Sequence, residues 1–224
     1  WIRYTIFSPA GRPEAAIGEL WAVFFDGETG RHVVAKEKHP IAACEFGRDH
    51  LAAWIGDAEL SAGRLVGSAT GPAETICWNL TWTGNADPMF LLPQASYRRS
   101  FPAAKSLVAT PLARYDGRLD VAGRAIEVEG WVGSQNHNWG SRLTDSYAFG
   151  QVAGFDDHPD SFLEIVSARV KVGPVRLPMI TCLSLRHAGT THELVDPLRG
   201  LRSSKADYGY FFWRFAHHDD RVAI

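Results

Sequence analysis

The sequence predicts an all-β protein, built as an antiparallel barrel or sandwich, and three observations lead to this prediction. Apolar and polar residues alternate with period two in short runs along the chain, whereas helical periodicity is nearly absent. Turn-forming residues separate these runs. A chain of 224 residues, 46% of them hydrophobic and 21% charged, is large enough to bury the core of one large or two small β domains.

The alternating runs predict where the strands lie. The clearest run is residues 74–83, where large apolar side chains share one face: Ile76, Trp78, Leu80 and Trp82. A hairpin is predicted over residues 118–129, with its turn at Ala122 and Gly123. Further strands are predicted over residues 18–25, 31–38, 147–155, 162–172, 179–187 and 208–215. The proline-containing stretch 85–111 predicts a long connection or a lid, and we expect two β lobes, residues 1–125 and 126–224.

Charge and cysteine usage restrict the class of protein. The formal net charge of −2 leaves no basic field, so nucleic acid is not an expected partner. The three cysteines, Cys44, Cys77 and Cys182, are widely spaced and odd in number, so we expect unpaired thiols in a reducing compartment, which favours a soluble cytoplasmic protein. No apolar run is long enough to cross a bilayer as a helix. No motif for a metal or for a phosphate-bearing cofactor occurs, and the oligomeric state stays open.

The segment from Gln135 to Gly140, with the sequence Gln-Asn-His-Asn-Trp-Gly, is the least ordinary part of the chain. Five consecutive side chains here carry hydrogen-bonding groups, and burying such a run is costly unless each group finds a partner. If the segment is extended, Gln135, His137 and Trp139 point one way, and Asn136 and Asn138 the other. The segment therefore predicts a polar network at the mouth or floor of a cavity, and the alternatives are an exposed turn or a purely structural network. We expect His137 to be buried with both ring nitrogens hydrogen-bonded.

The motif His-Asn-Trp-Gly at residues 137–140 resembles the carotenoid 1,2-hydratase (hydroxyneurosporene synthase) group. Trp131-Val132-Gly133 ahead of it and Tyr147-Ala148-Phe149-Gly150-Gln151 behind it extend the resemblance to residues 105–165. That group shares a lipocalin-like fold with AttH-type proteins, and tocopherol cyclases carry a related motif. The resemblance implies two lipocalin-like β lobes with the site at their junction, and an acid that protonates an isoprenoid double bond. The group's aspartate near a tyrosine has no match in the strand at Tyr147.

Two carboxylates are candidates for the acid. Glu164 shares a predicted strand face with Phe162 and Val166, where desolvation would raise its pKa and make it a proton donor near neutrality. Asp145 is close to Tyr147 in sequence. The alternatives are a Glu164 paired with an arginine such as Arg142 or facing water, and an Asp145 that is an ordinary loop carboxylate.

Two functions are consistent with these features. The first is an enzyme that hydrates, isomerises or cyclises an apolar isoprenoid or lipid-like ligand, with His137, Glu164 and Asp145 as catalytic residues. The second is a non-catalytic carrier of a similar hydrophobic small molecule. In both, the expected ligand-binding residues are Trp131, Gln135, Asn136, Asn138, Trp139, Tyr147, Phe149 and Gln151. Whether the aromatic residues, 12% of the chain, fill a core or line a cavity stays open.

Overall fold

The computed structural model describes residues 1–84, 87–142, 144, 146–169, 171–172 and 174–217. Strands take up 65% of these residues, and every strand pair with a defined register is antiparallel. The chain divides into two compact units: unit 1 is residues 1–83 and 114–131, and unit 2 is residues 84–113 and 132–224. The predicted all-β antiparallel class is confirmed.

Unit 1 is built on eight short strands and on parts of two long ones. The short strands are β1 (Ile2–Phe7), β2 (Ile17–Phe25), β3 (His32–Pro40), β4 (Cys44–Phe46), β5 (Ala52–Ile55), β6 (Ala58–Ser61), β7 (Arg64–Thr70) and β8 (Thr75–Thr83). Strands β1 to β3 form one sheet in chain order. Strands β4 to β8 belong to a second sheet, of eight strands, in which each of these five pairs with the next. Short 3₁₀ helices occupy Pro13–Ala15 and Ile41–Ala43.

The core of unit 1 is organised around Trp78 on β8. Alternation along this strand buries Ile76, Trp78 and Leu80, as predicted. The indole Nε1 of Trp78 donates to the hydroxyl of Tyr4 at 3.0 Å, and that hydroxyl lies 2.8 Å from the carbonyl oxygen of Glu59 and 3.1 Å from that of Val66. One tyrosine hydroxyl therefore satisfies a buried indole and ties β1 to β6 and β7.

Two long strands, β10 (Ala104–Val121) and β11 (Arg124–Gly140), contribute to both units. They are joined at Ala122 and Gly123, where both residues have positive φ values of 53° and 81°. Such φ values are typical of the two-residue turns that match strand twist, and glycine adopts them without strain. The predicted hairpin turn is therefore in place, but its strands extend well beyond residues 118–129.

Unit 2 has a central four-stranded sheet of β12 (Ser146–Phe155), β13 (His158–Arg169), β16 (Ile180–His187) and β17 (Thr190–Leu194), in that order. One face of this sheet packs against the hairpin of β18 (Ser204–Tyr208) and β19 (Trp213–His217) through Trp213 and Phe215. The opposite face, which we call the inner face, carries Glu164 and packs at Phe162 against Met89 and Val108. Smaller elements complete the unit: β9 (Met89–Phe90), β14 (Lys171–Val172), β15 (Val175–Arg176), the 3₁₀ helix Gln94–Arg98 and the α-helix α1 (Pro197–Ser203).

Two sequence predictions for unit 2 are wrong. Residues 208–215 do not form one strand, because the chain turns at residues 209–212 between β18 and β19. Residues 85–111 are not only a connection, since β9, a 3₁₀ helix and the first part of β10 lie within them. Aromatic and β-branched residues favour strands in general, and this preference does not locate turns.

The cysteines agree with the sequence prediction, and the helices are short. Cys44, Cys77 and Cys182 are all free thiols. The longest helix in the described part of the chain has seven residues, and none there has the length and apolar character of a membrane-spanning helix.

Replacing Tyr4 with phenylalanine is expected to destabilise the chain. The variant leaves Nε1 of Trp78, a side chain that is 2% exposed, without its partner, and such a loss costs about 1–3 kcal/mol in the free energy of unfolding. Urea denaturation of Tyr4→Phe measures this loss. The control is Tyr210→Phe, which removes the same hydroxyl from a ring that is 95% exposed and should change stability by less than about 0.5 kcal/mol. Equal stabilities of the two variants would contradict the role of the Tyr4 hydroxyl.

Candidate functional site

A row of polar side chains crosses the inner face of the central sheet in unit 2. The register pairs Gln151 of β12 with Glu164 of β13, Glu164 with Ser184 of β16, and Ser184 with Glu193 of β17. Directly paired residues of antiparallel strands present their side chains to the same face. We call these four residues the polar row. Glu164 and Ser184, in its centre, are completely buried.

The carboxylate of Glu164 is held by amide groups from two other strands. Its Oε2 accepts hydrogen bonds from Nε2 of Gln151 at 3.0 Å and from Nδ2 of Asn136, on β11, at 3.2 Å. Its Oε1 lies 3.5 Å from Oγ of Ser106 on β10. Three strands therefore supply the polar groups that a buried carboxyl group requires.

The hydrogen-bond pattern assigns the proton of a neutral Glu164 to Oε1. The two amide donors both point at Oε2, which leaves Oε1 to carry a proton. The hydroxyl of Ser106 donates to Oδ1 of Asn138 at 2.6 Å, and it has only one hydrogen to give. When Glu164 is protonated, the oxygen of Ser106 can therefore accept the proton on Oε1. When Glu164 is charged, the same hydroxyl can donate to Oε1 instead.

Burial raises the pKa of Glu164 to about 7, although its hydrogen bonds to Gln151, Asn136 and Ser106 act in the opposite direction. The desolvation of the charged form outweighs these bonds because the side chain has no exposed surface. Glu164 is thus protonated in a large share of molecules near neutral pH. The sequence prediction of a buried carboxyl group with a raised pKa agrees with this geometry.

An apolar surface adjoins the polar row on the inner face. Phe149 pairs with Val166 and Tyr147 pairs with Ala168, one and two pairs of inward residues away from Gln151 and Glu164 respectively. We call these four residues the apolar floor. Its aromatic side chains are exposed to solvent: Tyr147 is 53% exposed and Phe149 is 50% exposed. The floor begins about 7 Å along the strand from Glu164, the spacing of two residues in a β-strand.

The expectation that His137 is buried with both ring nitrogens paired is wrong, because its side chain is exposed. Neighbouring residues of a strand point to opposite faces, so the bond from Asn136 to Glu164 directs His137 away from the carboxylate. Its ring stacks on Trp139 with 4.8 Å between ring centroids. Partial shielding from water lowers the pKa of His137, which favours the neutral ring.

The other predicted ligand-binding residues lie at different places. Asn138 bonds to Ser106 on the edge of the network around Glu164, and Gln135 is half-buried. Trp131 belongs to unit 1 and is 45% exposed. Asp145, the second predicted acid, lies outside the described residues. Of the predicted set, the structure therefore brings Asn136, Asn138 and Gln151 to Glu164.

Three residues near Glu164 were not found from the sequence. Ser106 and Tyr97 lie in the stretch that was predicted to be a connection or lid. Tyr97 donates its hydroxyl hydrogen to the carbonyl of Ser106 at 2.7 Å, and burial together with the charges of Glu164 and Glu193 raises its pKa to about 12. Ser184 has a buried hydroxyl for which the described residues supply no hydrogen-bond partner. The sequence signal that could have identified Ser184 is the period-two alternation of side chains along residues 180–186. This alternation places Ser184 on the same face as Cys182.

Possible sites elsewhere are few among the described residues. No cluster of three or more histidine, cysteine or acidic side chains suited to a metal ion occurs there. Two open cavities of about 590 and 290 Å³ lie in unit 1. The smaller is lined partly by Glu37, His39 and Asp57, and neither contains a residue of the predicted site.

Comparison with known proteins defines the fold class. The structure of this chain is similar to the crystal structure of a candidate AttH protein from Nitrosomonas europaea, with a TM-score of 0.61 and 15% sequence identity. The similarity covers 92% of this chain and 63% of that one. The chain therefore has an AttH-like fold, as the motif at residues 137–140 predicted.

Sequence similarity is more local. An uncharacterized protein of Mycobacterium tuberculosis, found in strains CDC 1551 and H37Rv, is 30% identical over 71 residues, which are 32% of this chain and 22% of that protein. The chain thus matches less than a quarter of the length of these relatives. No family model matches the sequence.

The raised pKa of Glu164 predicts a distinctive pH dependence of stability. An unfolded glutamate titrates near 4.5 and the folded Glu164 near 7, so between these values only the folded chain keeps the proton. The free energy of unfolding should fall by on the order of 3 kcal/mol as the pH rises from about 4.5 to about 7, and then level off. Urea denaturation at a series of pH values measures this slope, which Glu164→Gln should remove.

The matched control is Glu45→Gln, because Glu45 is exposed on β4 in unit 1 and should leave the slope unchanged. His137, whose pKa is lowered, contributes a slope of the opposite sign. That contribution is present in all three chains, so the difference between them isolates Glu164. Identical slopes for wild type and Glu164→Gln would mean that the carboxyl group titrates normally.

Proposed function

We propose that unit 2 binds an apolar, unsaturated isoprenoid or lipid-like molecule on the apolar floor, and that Glu164 is the acid that protonates it. The observation that carries this proposal is a fully buried carboxyl group with a pKa of about 7, next to exposed aromatic side chains. An acid with a pKa close to the working pH is well matched to general acid catalysis. The reaction is a hydration, an isomerisation or a cyclisation.

The proton on Oε1 of Glu164 is transferred to a carbon of the double bond, which leaves a carbocation at the neighbouring carbon. The rings of Tyr147 and Phe149 stabilise this cation through their π faces. The carboxylate that remains is held by the amide groups of Gln151 and Asn136. It regains a proton when water adds to the cation, when the cation loses a hydrogen from the next carbon, or when ring closure is followed by such a loss.

The ligand reaches the acid from the apolar floor. Glu164 has no exposed surface, whereas Gln151 is half-buried and Asn136 is exposed. The amide groups of Gln151 and Asn136 therefore separate the carboxyl group of Glu164 from solvent. Movement of the Gln151 side chain, together with rotation of the Glu164 carboxyl group, would present the proton on Oε1 to a ligand that already lies on Phe149. Since His137 lies on the other face of β11, we assign it no proton transfer to or from Glu164.

A non-catalytic carrier is the second candidate function, and the orientation of His137 favours it. A catalytic acid is commonly paired with a second group that moves protons, and the described residues place no histidine against Glu164. In the carrier, the network of Glu164, Asn136 and Ser106 only holds β10, β11 and β13 together. The apolar floor then binds a hydrophobic small molecule without changing it.

The substitution Glu164→Gln separates the two functions. Glutamine keeps the size and the hydrogen bonds of the side chain but has no transferable proton. We expect turnover to fall by about 10²–10⁴-fold, measured by mass spectrometry as gain of water or as an isomer from a panel of unsaturated isoprenoids. Binding of a fluorescent polyene should change by no more than a few-fold.

Two control variants help to distinguish the enzyme from the carrier. Glu45→Gln makes the same chemical change on the exposed surface of unit 1 and should retain full turnover. Phe149→Ala removes part of the apolar floor and should weaken polyene binding in either function. Unchanged turnover in Glu164→Gln would remove the acid from the mechanism. Polyene binding without product in the wild type, across the panel, would favour the carrier.

A further inference from the structure

The hairpin of β18 and β19 ends in a run of exposed aromatic side chains. Tyr210 is 95% exposed, Phe211 is 94% exposed and Phe212 is 47% exposed. Single exposed apolar residues are normal on protein surfaces, but adjacent ones that project together mark an interaction site. We call residues 209–212 the aromatic tip.

The base of the hairpin is fixed to the central sheet of unit 2, and this fixes the position of the tip. Nε1 of Trp213 donates to Oγ of Ser167 at 3.1 Å, and Nδ1 of His217 lies 2.8 Å from the carbonyl oxygen of Thr181. Both Trp213 and Phe215 pack on the face of the sheet that is opposite to the inner face. The tip begins beyond the last paired residues, Tyr208 and Trp213. It is therefore a projection from a well-anchored element.

The tip itself is an ordered turn. The amide of Gly209 donates to the carbonyl oxygen of Phe212 at 2.9 Å. A Cβ atom at residue 209 would lie 2.6 Å from Cε1 of Phe212, so glycine allows this ring to fold over the turn. The guanidinium of Arg214 lies 5.6 Å from the centre of the same ring. Tyr210 and Phe211 are left as the outermost side chains.

The size of the tip argues against a second protein as its occupant. Aromatic side chains bury about 150–250 Å² each, so Tyr210, Phe211 and half of Phe212 offer roughly 500 Å². A stable protein interface needs about 800 Å² from each partner. A projecting point of this size fits a soft apolar medium better than a complementary protein surface.

The composition of the tip matches the boundary of a lipid bilayer. Tyrosine and tryptophan rings favour the headgroup level, where one end is apolar and the other is wet. Phenylalanine side chains favour the acyl boundary just below, and Arg214 is placed to meet a headgroup phosphate. Among the described residues, one backbone hydrogen bond closes the turn, from Gly209 to Phe212, and at the headgroup level lipid headgroups and water can bond to the remaining backbone groups.

We infer that the aromatic tip docks unit 2 on the surface of a phospholipid bilayer, with Tyr210 at the level of the headgroups and Phe211 at the acyl boundary just below them. The inference rests on the hairpin alone and is independent of the chemistry of Glu164. It also fits the proposed class of ligand, since apolar isoprenoids and lipids partition into membranes.

Vesicle flotation of the whole chain tests this inference. The vesicles are phosphatidylcholine alone and phosphatidylcholine with phosphatidylglycerol. The wild type should float with both, more strongly with the anionic vesicles, because Arg214 accompanies the tip. The double variant Tyr210→Ser, Phe211→Ser should reduce the bound fraction by about tenfold or more.

The control is the double variant Phe7→Ser, Phe25→Ser, which removes two aromatic side chains that are 57% and 63% exposed on unit 1. It should float like the wild type. Both variants are first checked by thermal unfolding, so that a loss of fold is not read as a loss of binding. Flotation of the wild type at the level of the tip variant would overturn the inference. A change of oligomeric state in the tip variant, with vesicle binding unchanged, would also overturn it and would assign the tip to a second copy of the chain.

Discussion

The requirement to neutralise a buried carboxyl group organises unit 2. Glu164 lies on the inner face of an antiparallel sheet, where an unpaired charge would be strongly unfavourable. Its partners come from separate strands: Ser106 from β10, Asn136 from β11 and Gln151 from β12. These bonds connect the central sheet to the long strands that cover it. The polar side chains of Ser134, Asn136 and Asn138, which share one face of β11, follow from this requirement.

The period of a β-strand explains both the success and the failure of sequence reasoning at the site. Alternation placed Glu164 on a face with Phe162 and Val166, which correctly indicated burial and a raised pKa. The same alternation implied that Asn136 and His137 point to opposite faces. The motif treated them as one functional group, because they are adjacent in sequence. Only the structure shows that Asn136 is the residue that turns toward the acid.

The period-two pattern could not predict two other features, the positions of Ser106 and Tyr97 and the turn between β18 and β19. Ser106 and Tyr97 lie between prolines, which predicted a connection although β10 begins at Ala104. The aromatic residues 210–213 were assigned to a strand, because strand propensity measures how well a side chain fits a pleated surface and does not identify a turn. The strand positions themselves could be predicted, since burial of one face imposes a period of two on each strand.

A carboxyl group at residue 164 is a poor choice if the network serves only to hold strands together. A glutamine there would accept the hydrogen bonds from Gln151 and Asn136 on its oxygen and could donate to Ser106 with its amide. It would do so without a titrating group, whereas the pKa of about 7 means that Glu164 becomes less favourable to the fold as the pH rises toward neutrality. The chain therefore gives up stability for a group whose distinguishing property is an exchangeable proton. Loss of stability at functional groups is a common feature of active sites, and it is the physical reason to prefer the proton-transfer proposal to a carrier.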